Sequence, residues 1–120
     1  MNVLIVEGDA DLCSVWSRHL ERLGATVTVA TSQTAAVQAL RDGPIQVIIL
    51  NLHLPGGSSG AVADYASYRR PNARVVFVTN ERFFSDGSIF NLFPNTAAFV
   101  AAKTAPADLA AIVEHHGMSA

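Results

Sequence analysis

The sequence predicts an α/β domain with a five-stranded parallel sheet and helices on both of its faces. Short apolar runs recur along the 120 residues, amphipathic segments separate them, and glycine, proline or asparagine marks most boundaries. Strands that alternate with helices favour a parallel sheet, because each helix carries the chain back to start the next strand. The length supports one hydrophobic core but not two, so we expect residues 1–120 to form a single domain.

Five segments have the composition of buried strands. Each is short and consists mainly of β-branched or other apolar residues, which is typical of strands that helices cover on both faces. The third segment is the most hydrophobic, so we expect it at the centre of the sheet. The predicted strands are residues 3–6, 26–30, 45–50, 74–79 and 97–101.

Amphipathic segments with recognisable ends follow the strands. We expect Asp9 or Asp11 to cap the first helix, because a carboxylate oxygen can accept hydrogen bonds from the unpaired N–H groups of a helix start. Pro106 suits the first turn of the last helix, where a missing N–H has no consequence. The first predicted helix ends near residue 23, and the others lie at about 35–40, 61–70, 88–93 and 106–116.

The composition argues against several functional classes. Charged residues make up 15% of the chain and the net charge is −2, with no basic block beyond the arginines of residues 69–74. Nucleic-acid binding normally requires a clustered cationic surface, so we do not expect it here.

The expected location is the cytoplasm. No stretch approaches the roughly 20 apolar residues that span a membrane, and the N-terminus lacks the basic region of a signal peptide. Cys13 is the single cysteine. It cannot form an internal disulfide, which fits a reducing compartment.

Polar residues follow four of the predicted strands, and a parallel sheet collects such residues at one edge. This edge has neither the glycine-rich loop of a dinucleotide site nor that of a P-loop. We also find no nucleophile–base pair, so we do not expect an enzyme. The residues expected at the edge are Glu7, Gly8 and Asp9, then Asn51 and His53, then Thr79, and finally Lys103.

In the residues that end its strands, the sequence resembles the receiver domains of two-component response regulators, a family that includes the chemotaxis regulators. The resemblance implies a flavodoxin-like (βα)5 fold. The resemblance covers essentially the whole chain. No single motif is specific, but their shared order and spacing carry the assignment. The matching segments are residues 4–9, 48–56, 76–79 and 99–103.

The resemblance implies a role for each residue of the pocket. In receivers an acidic pair and an aspartate hold Mg²⁺, the aspartate accepts a phosphoryl group from a phosphohistidine, and a threonine and a lysine bind the phosphoryl oxygens. Glu7 keeps the first acid, and Thr79 and Lys103 are retained. Gly8 stands in the place of the second acid, and Asn51 stands in the place of the phosphoacceptor.

These departures change the expected chemistry. The amide oxygen of Asn51 is neutral and cannot form an acyl phosphate directly. Mg²⁺ prefers carboxylate oxygens, and Gly8 and Asn51 remove two of them, so we expect weak or absent Mg²⁺ binding and no other cofactor. With roughly one acid facing one lysine, we hypothesise that Lys103 contacts Glu7 or the Asn51 oxygen, directly or through water.

Other interpretations of the pocket residues stay open. Asp9 is an acid of the pocket, a helix cap, or both. Lys103 is equally compatible with a structural ion pair, and Thr79 with a hydroxyl that merely ends a strand. We interpret His53 as a loop histidine and not as a metal ligand.

A partner surface is expected next to the pocket. Val100 occupies the place of the switch aromatic of many receivers, and Phe99 is adjacent. The region from the fourth to the fifth helix is the usual interaction face of receivers, so we expect a protein partner there, with a second copy of the chain as one candidate. Four further aromatics belong to this predicted face, and burial in the core is their alternative explanation: Phe83, Phe84, Phe90 and Phe93.

The leading functional hypothesis is a receiver-like signalling module that works without phosphorylation, through contact with a protein such as a histidine kinase or an effector. A first alternative is a phosphorelay receiver that is phosphorylated at another acid, such as Asp9. A second is a small flavodoxin-like enzyme or an FMN-binding protein. Phosphotransfer with and without Asp9 distinguishes the first two, and FMN absorbance tests the third.

Overall fold

The computed structural model describes residues 1–79 and 95–118, and it confirms the predicted α/β class. The predicted helix at 88–93 lies outside the described residues. Across the described part of the chain, no helix combines the length and apolar character required to cross a membrane. The strands are β1 (Asn2–Val6), β2 (Thr26–Ala30), β3 (Val47–Asn51), β4 (Arg74–Thr79) and β5 (Thr96–Ala101). The helices are α1 (Ala10–Arg22), α2 (Gln33–Asp42), α3 (Ser59–Arg69) and α4 (Pro106–Met118).

The five strands form one sheet in the order β2-β1-β3-β4-β5, and every neighbouring pair is parallel. β3 is central, as its hydrophobicity predicts, and its first four residues are buried. Its interior position explains why it can be apolar on both faces.

Each face of the sheet has its own hydrophobic cluster, because successive side chains of a strand point to opposite faces. One cluster joins the sheet to α2 and α3 and contains Leu4, Ile48 and Phe77. The other joins the sheet to α1 and α4 and contains Ile5 and Ile49. The two layers together fix which polar side chains emerge on which face at the strand ends.

A side-chain oxygen caps the N-terminus of each of the first three helices. Asp9 Oδ1 accepts hydrogen bonds from the backbone N–H of Asp11 at 2.9 Å and of Leu12 at 3.3 Å, which confirms Asp9 as the cap of α1. Ser32 caps α2. α3 begins at Ser59, two residues earlier than the sequence predicts, because Ser58 supplies its cap by accepting from the backbone N–H of Ala61.

Replacing a buried and an exposed aromatic residue by alanine should change the free energy of unfolding by very different amounts. Phe77 is fully buried in β4, so Phe77→Ala should lower the free energy of unfolding by about 3–5 kcal/mol. Tyr68 is 82% exposed on α3, and Tyr68→Ala should change it by no more than about 0.5 kcal/mol. Chemical denaturation measures both. Equal losses would contradict the placement of Phe77 at the centre of the core.

Candidate functional site

The register of β1 and β3 brings the first polar residues of the pocket together. Val6 pairs with Leu50, so the next residues, Glu7 and Asn51, emerge side by side at the carboxyl end of the sheet. Both follow the alternation that points toward the α1 side, because they lie two residues beyond Ile5 and Ile49. The two residues are 44 positions apart in the sequence.

A hydrogen bond joins these two side chains. Asn51 Nδ2 donates to Glu7 Oε2 at 2.6 Å. The Glu7 side chain is 4% exposed, so this contact lies in a largely water-free place. A carboxylate only accepts hydrogen bonds, and this requirement fixes the orientation of the amide with its nitrogen toward Glu7.

Backbone N–H groups satisfy the remaining oxygens of the pair. Glu7 Oε1 accepts from the N–H of Asp9 at 3.1 Å, and Asn51 Oδ1 accepts from the N–H of His53 at 2.8 Å. A buried charge is stabilised when hydrogen-bond donors surround it, and Glu7 obtains two donors from within the chain. Each of the three side-chain oxygens of the pair therefore accepts a hydrogen bond from within the chain.

Gly8 lies against the loop that follows β3. A Cβ atom at residue 8 would lie 3.3 Å from Pro55 Cδ and 3.4 Å from Pro55 Cγ. These separations are tight for carbon atoms, so the proline ring occupies the space into which a larger side chain would extend. The loop that follows β3 therefore lies in close contact with the backbone of Gly8.

The polar side chains around Glu7 already make contacts within the chain. Glu7 is the buried carboxylate, and the amide nitrogen of Asn51, a hydrogen-bond donor, is directed at it. Asp9 uses Oδ1 to cap α1. Over residues 1–79 and 95–118, no group of three or more His, Cys, Asp or Glu side chains is arranged to hold a metal ion.

The hypothesised direct contact of Lys103 is not present in the described part of the chain. The Lys103 side chain is exposed, and the single ion pair formed among the described residues joins Arg41 to Asp42. A contact of Lys103 through water stays a prediction. The side-chain donor to Glu7 is Asn51 Nδ2. The physical reason is proximity, since Asn51 is the immediate neighbour of Glu7 in the sheet.

Thr79 and His53 occupy different surroundings. Thr79 is 8% exposed at the end of β4, and its carbonyl oxygen accepts from the N–H of Ala102 at 3.0 Å. His53 is exposed in the loop and contacts the pocket through its backbone N–H. The structure therefore places the His53 backbone, and not its ring, at the pair.

Two residues of the predicted partner face are described. Val100 is 7% exposed and packs in the cluster on the α1 and α4 side. Phe99 points to the other side of the sheet, where its ring stacks on Phe77 with centroids 5.2 Å apart. The other predicted members lie outside the described residues: Phe83, Phe84, Phe90 and Phe93.

Cys13 lies directly behind the pocket. Its Sγ donates a hydrogen bond to the Glu7 carbonyl oxygen at 3.4 Å, and its side chain is 5% exposed. Burial, followed by the negative charges of Glu7 and Asp9, raises the pKa of the Cys13 thiol from 9.0 to about 11. The thiol is therefore a neutral packing group at physiological pH, as expected for a cysteine in an apolar, electronegative place.

Sequence reasoning placed Glu7 and Asn51 at the same edge of the sheet but did not predict the hydrogen bond between them. The Asn51–Glu7 hydrogen bond has a sequence signal, because each residue directly follows a buried apolar run. With parallel neighbouring strands, residues in those positions lie side by side. The approach of Pro55 to Gly8 has no comparable signal, since it depends on the path of the loop.

With the fold and the pocket described, the chain can be compared with known proteins. No model of a known protein family matches it, and no curated protein matches it. Solved structures do match. A CheY-like response-regulator receiver domain protein from Methanospirillum hungatei superposes with a TM-score of 0.87 at 19% identity, covering 98% of this chain and 94% of that one.

Two further structures show the same likeness. A response-regulator receiver domain from Francisella has a TM-score of 0.85 at 15% identity, over 98% of this chain and 97% of that one. The response regulator TrrA from Thermotoga maritima, in complex with Mg²⁺-BeF, has a TM-score of 0.81 at 16% identity, over 96% and 97%. The chain therefore has the CheY-like, flavodoxin-like fold of response-regulator receiver domains.

The raised pKa of Cys13 predicts a pH dependence. Because the folded-state pKa lies above the unfolded value, the contribution of the neutral Cys13 thiol to stability is fully present below about pH 9 and is lost as pH rises through about 11. Cys13→Ala should therefore lose less stability than the wild type over this interval, as measured by denaturation at a series of pH values.

Asp9→Asn tests the electrostatic part of this effect. The substitution keeps a helix cap but removes a charge that raises the pKa of Cys13, so that pKa should fall. Asp11→Asn, which alters a neighbouring exposed acid, is the matched control and should leave it unchanged. Titration of the thiolate absorbance measures all three proteins. A Cys13 pKa that is unmoved by Asp9→Asn would contradict the assignment.

Proposed function

We propose that the chain is a receiver-like signalling module that works without aspartyl phosphorylation, through protein–protein contact. The hydrogen bond from Asn51 Nδ2 to Glu7 Oε2 at 2.6 Å is the observation that supports this most directly. The likeness to receiver domains supports the wider class of function, and the pocket chemistry supports the atypical mechanism within it.

In this proposal the side-chain amide of Asn51 contacts the Glu7 carboxylate where a receiver domain would bind Mg²⁺. An aspartate at residue 51 would place two carboxylates in contact, and such a pair requires a shared proton or a bound metal ion. The amide nitrogen supplies partial positive charge at that point from the chain itself. The Glu7 carboxylate is therefore hydrogen-bonded from within the chain, and in this proposal neither Mg²⁺ nor a phosphoryl group is needed to complete the pocket.

Mg²⁺ binding is accordingly weak or absent in the proposed mechanism, and no cofactor takes part. Glu7 already accepts two hydrogen bonds, and Gly8 contributes no carboxylate. The module catalyses no reaction. Its output is the binding of a protein, such as a histidine kinase or an effector, and a second copy of the chain is the alternative partner.

The proposed partner face lies next to the pocket. Val100 is buried and the Phe99 ring stacks on Phe77, so we assign the contact itself to the four aromatics between residues 83 and 93. Sedimentation at increasing concentration tests the homodimer form of this proposal. A strict monomer at high concentration would leave a different protein as the partner.

Phosphotransfer is the direct test of the mechanism. Incubation with acetyl phosphate and Mg²⁺, followed by intact mass measurement, should give no stable phosphoryl adduct on the wild type, because a neutral amide has no anionic oxygen for the attack. An adduct at residue 51 would refute the proposal. An adduct that Asp9→Asn abolishes would instead assign a phosphorelay receiver with Asp9 as its acceptor.

Asn51→Asp tests the role of the amide in stability. The substitution replaces a donor by a second carboxylate and should lower the free energy of unfolding at neutral pH by about 1–3 kcal/mol. Like charge raises the pKa of one member of the pair, so the loss should shrink as pH falls through that raised value. Mg²⁺ should stabilise the variant more than the wild type.

Asn72→Asp provides the matched control, since Asn72 is exposed in the turn between α3 and β4. It makes the same chemical change away from the pocket and should produce neither the pH dependence nor the response to Mg²⁺. Thermal denaturation with and without Mg²⁺ compares the three proteins. A magnesium-free Asn51→Asp variant as stable as the wild type would contradict the proposal.

A further inference from the structure

The loop between β3 and α3, residues 52–58, carries one wall of the pocket and is attached to three neighbouring parts of the chain. The N–H of His53 donates to Asn51 Oδ1, so any movement of the loop reaches the Asn51–Glu7 pair. Leu54 is 6% exposed and packs in the core beside α2 and α3. Pro55 lies against Gly8.

At the end of the loop that leads into α3, the backbone N–H of Ser58 has no hydrogen-bond acceptor within that helix. Ser58 caps α3 by accepting from the N–H of Ala61, and its own backbone N–H also needs an acceptor. In many helices a glutamate or glutamine three residues after the cap supplies that acceptor, but this position here is Ala61. Gln33, in the first turn of α2, supplies it instead: Gln33 Oε1 accepts from Ser58 N at 2.8 Å.

Gln33 and the loop also fit each other sterically. A Cβ atom at Gly57 would lie 2.7 Å from Gln33 Cβ and 3.1 Å from Gln33 Oε1. Gly57 is not among the glycines with positive φ, which in the described residues are Gly24 and Gly56. Space beside Gln33, and not backbone conformation, therefore requires glycine at residue 57.

We propose that Gln33 is a positioning residue that locks the 52–58 loop in one conformation against the pocket. Gln33 holds the loop from α2, and Pro55 holds it against Gly8 on the other side. The loop is thereby fixed by residues of the chain, and it keeps Asn51 directed at Glu7 in the absence of a ligand. This inference rests on the proposed function, for which it supplies the device that keeps the module in a single state.

Three variants of α2 test the role of Gln33. Gln33→Met keeps the length of the side chain but removes the acceptor, and Gln33→Glu keeps an acceptor oxygen. Gln38→Met makes the same change at an exposed position of the same helix. Hydrogen exchange of the Ser58 amide and the NMR resonances of the Asn51 side-chain amide are measured on the whole chain, without phosphodonor or metal.

Gln33→Met should speed exchange of the Ser58 amide about tenfold, a factor that corresponds to the loss of one hydrogen bond. It should also shift or broaden the Asn51 side-chain resonances through His53. Gln33→Glu and Gln38→Met should resemble the wild type in both measurements. Wild-type behaviour of Gln33→Met, or equal effects of Gln33→Met and Gln33→Glu, would overturn the proposal.

Gly57→Ala gives a second route if Gln33→Met does not fold. Its Cβ would press on Gln33 and should produce the same changes at Ser58 and Asn51, and unchanged signals would refute the lock. Because no phosphodonor is present, the result is independent of the phosphotransfer test. A locked loop in a protein that accepts phosphate would refute the proposed function alone, and a free loop in a protein that does not would refute the lock alone.

Discussion

The hydrogen bond between the Asn51 amide and the Glu7 carboxylate is the contact on which the rest of the pocket depends. A buried carboxylate requires compensating positive or donor groups, and the sheet supplies one from the adjacent strand at 2.6 Å. With its nitrogen toward Glu7, the Asn51 amide directs its oxygen at the backbone N–H of His53 in the loop. The carboxamide of Asn51 thus sets the directions of the hydrogen bonds that join β1, β3 and the loop after β3.

Two glycines allow the loop between β3 and α3 to pack closely against its neighbours. Gly8 allows the Pro55 ring to lie over the end of β1, and Gly57 allows the loop to lie against Gln33. A side chain at either position would require the neighbour to move. The loop therefore contacts β1 at one point and α2 at another. The absence of a Cβ atom at Gly8 and Gly57 makes room for both contacts.

Sequence patterns predicted much of the framework. Two strands have the predicted bounds, Thr26–Ala30 and Arg74–Thr79, because runs of β-branched residues end at clear turn signals. The start of α3 was predicted too late because Ser58 was not recognised as its cap. Glu7 and Asn51 were singled out by their positions after the strands. The hydrogen bond between them was not predicted, since opposite charge suggested a contact of Lys103 with Glu7 or with the Asn51 oxygen.

The sequence by itself determined the α/β class, the order of the elements and the polar residues that end the strands, among them Glu7 and Asn51. These follow from local periodicity and from which residue ends each strand. Only the tertiary structure decided that Asn51 donates to Glu7, that Pro55 covers Gly8 and that Gln33 accepts from Ser58. Those contacts join residues 25 to 47 positions apart, and their geometry depends on strand register and loop path, which no local pattern encodes.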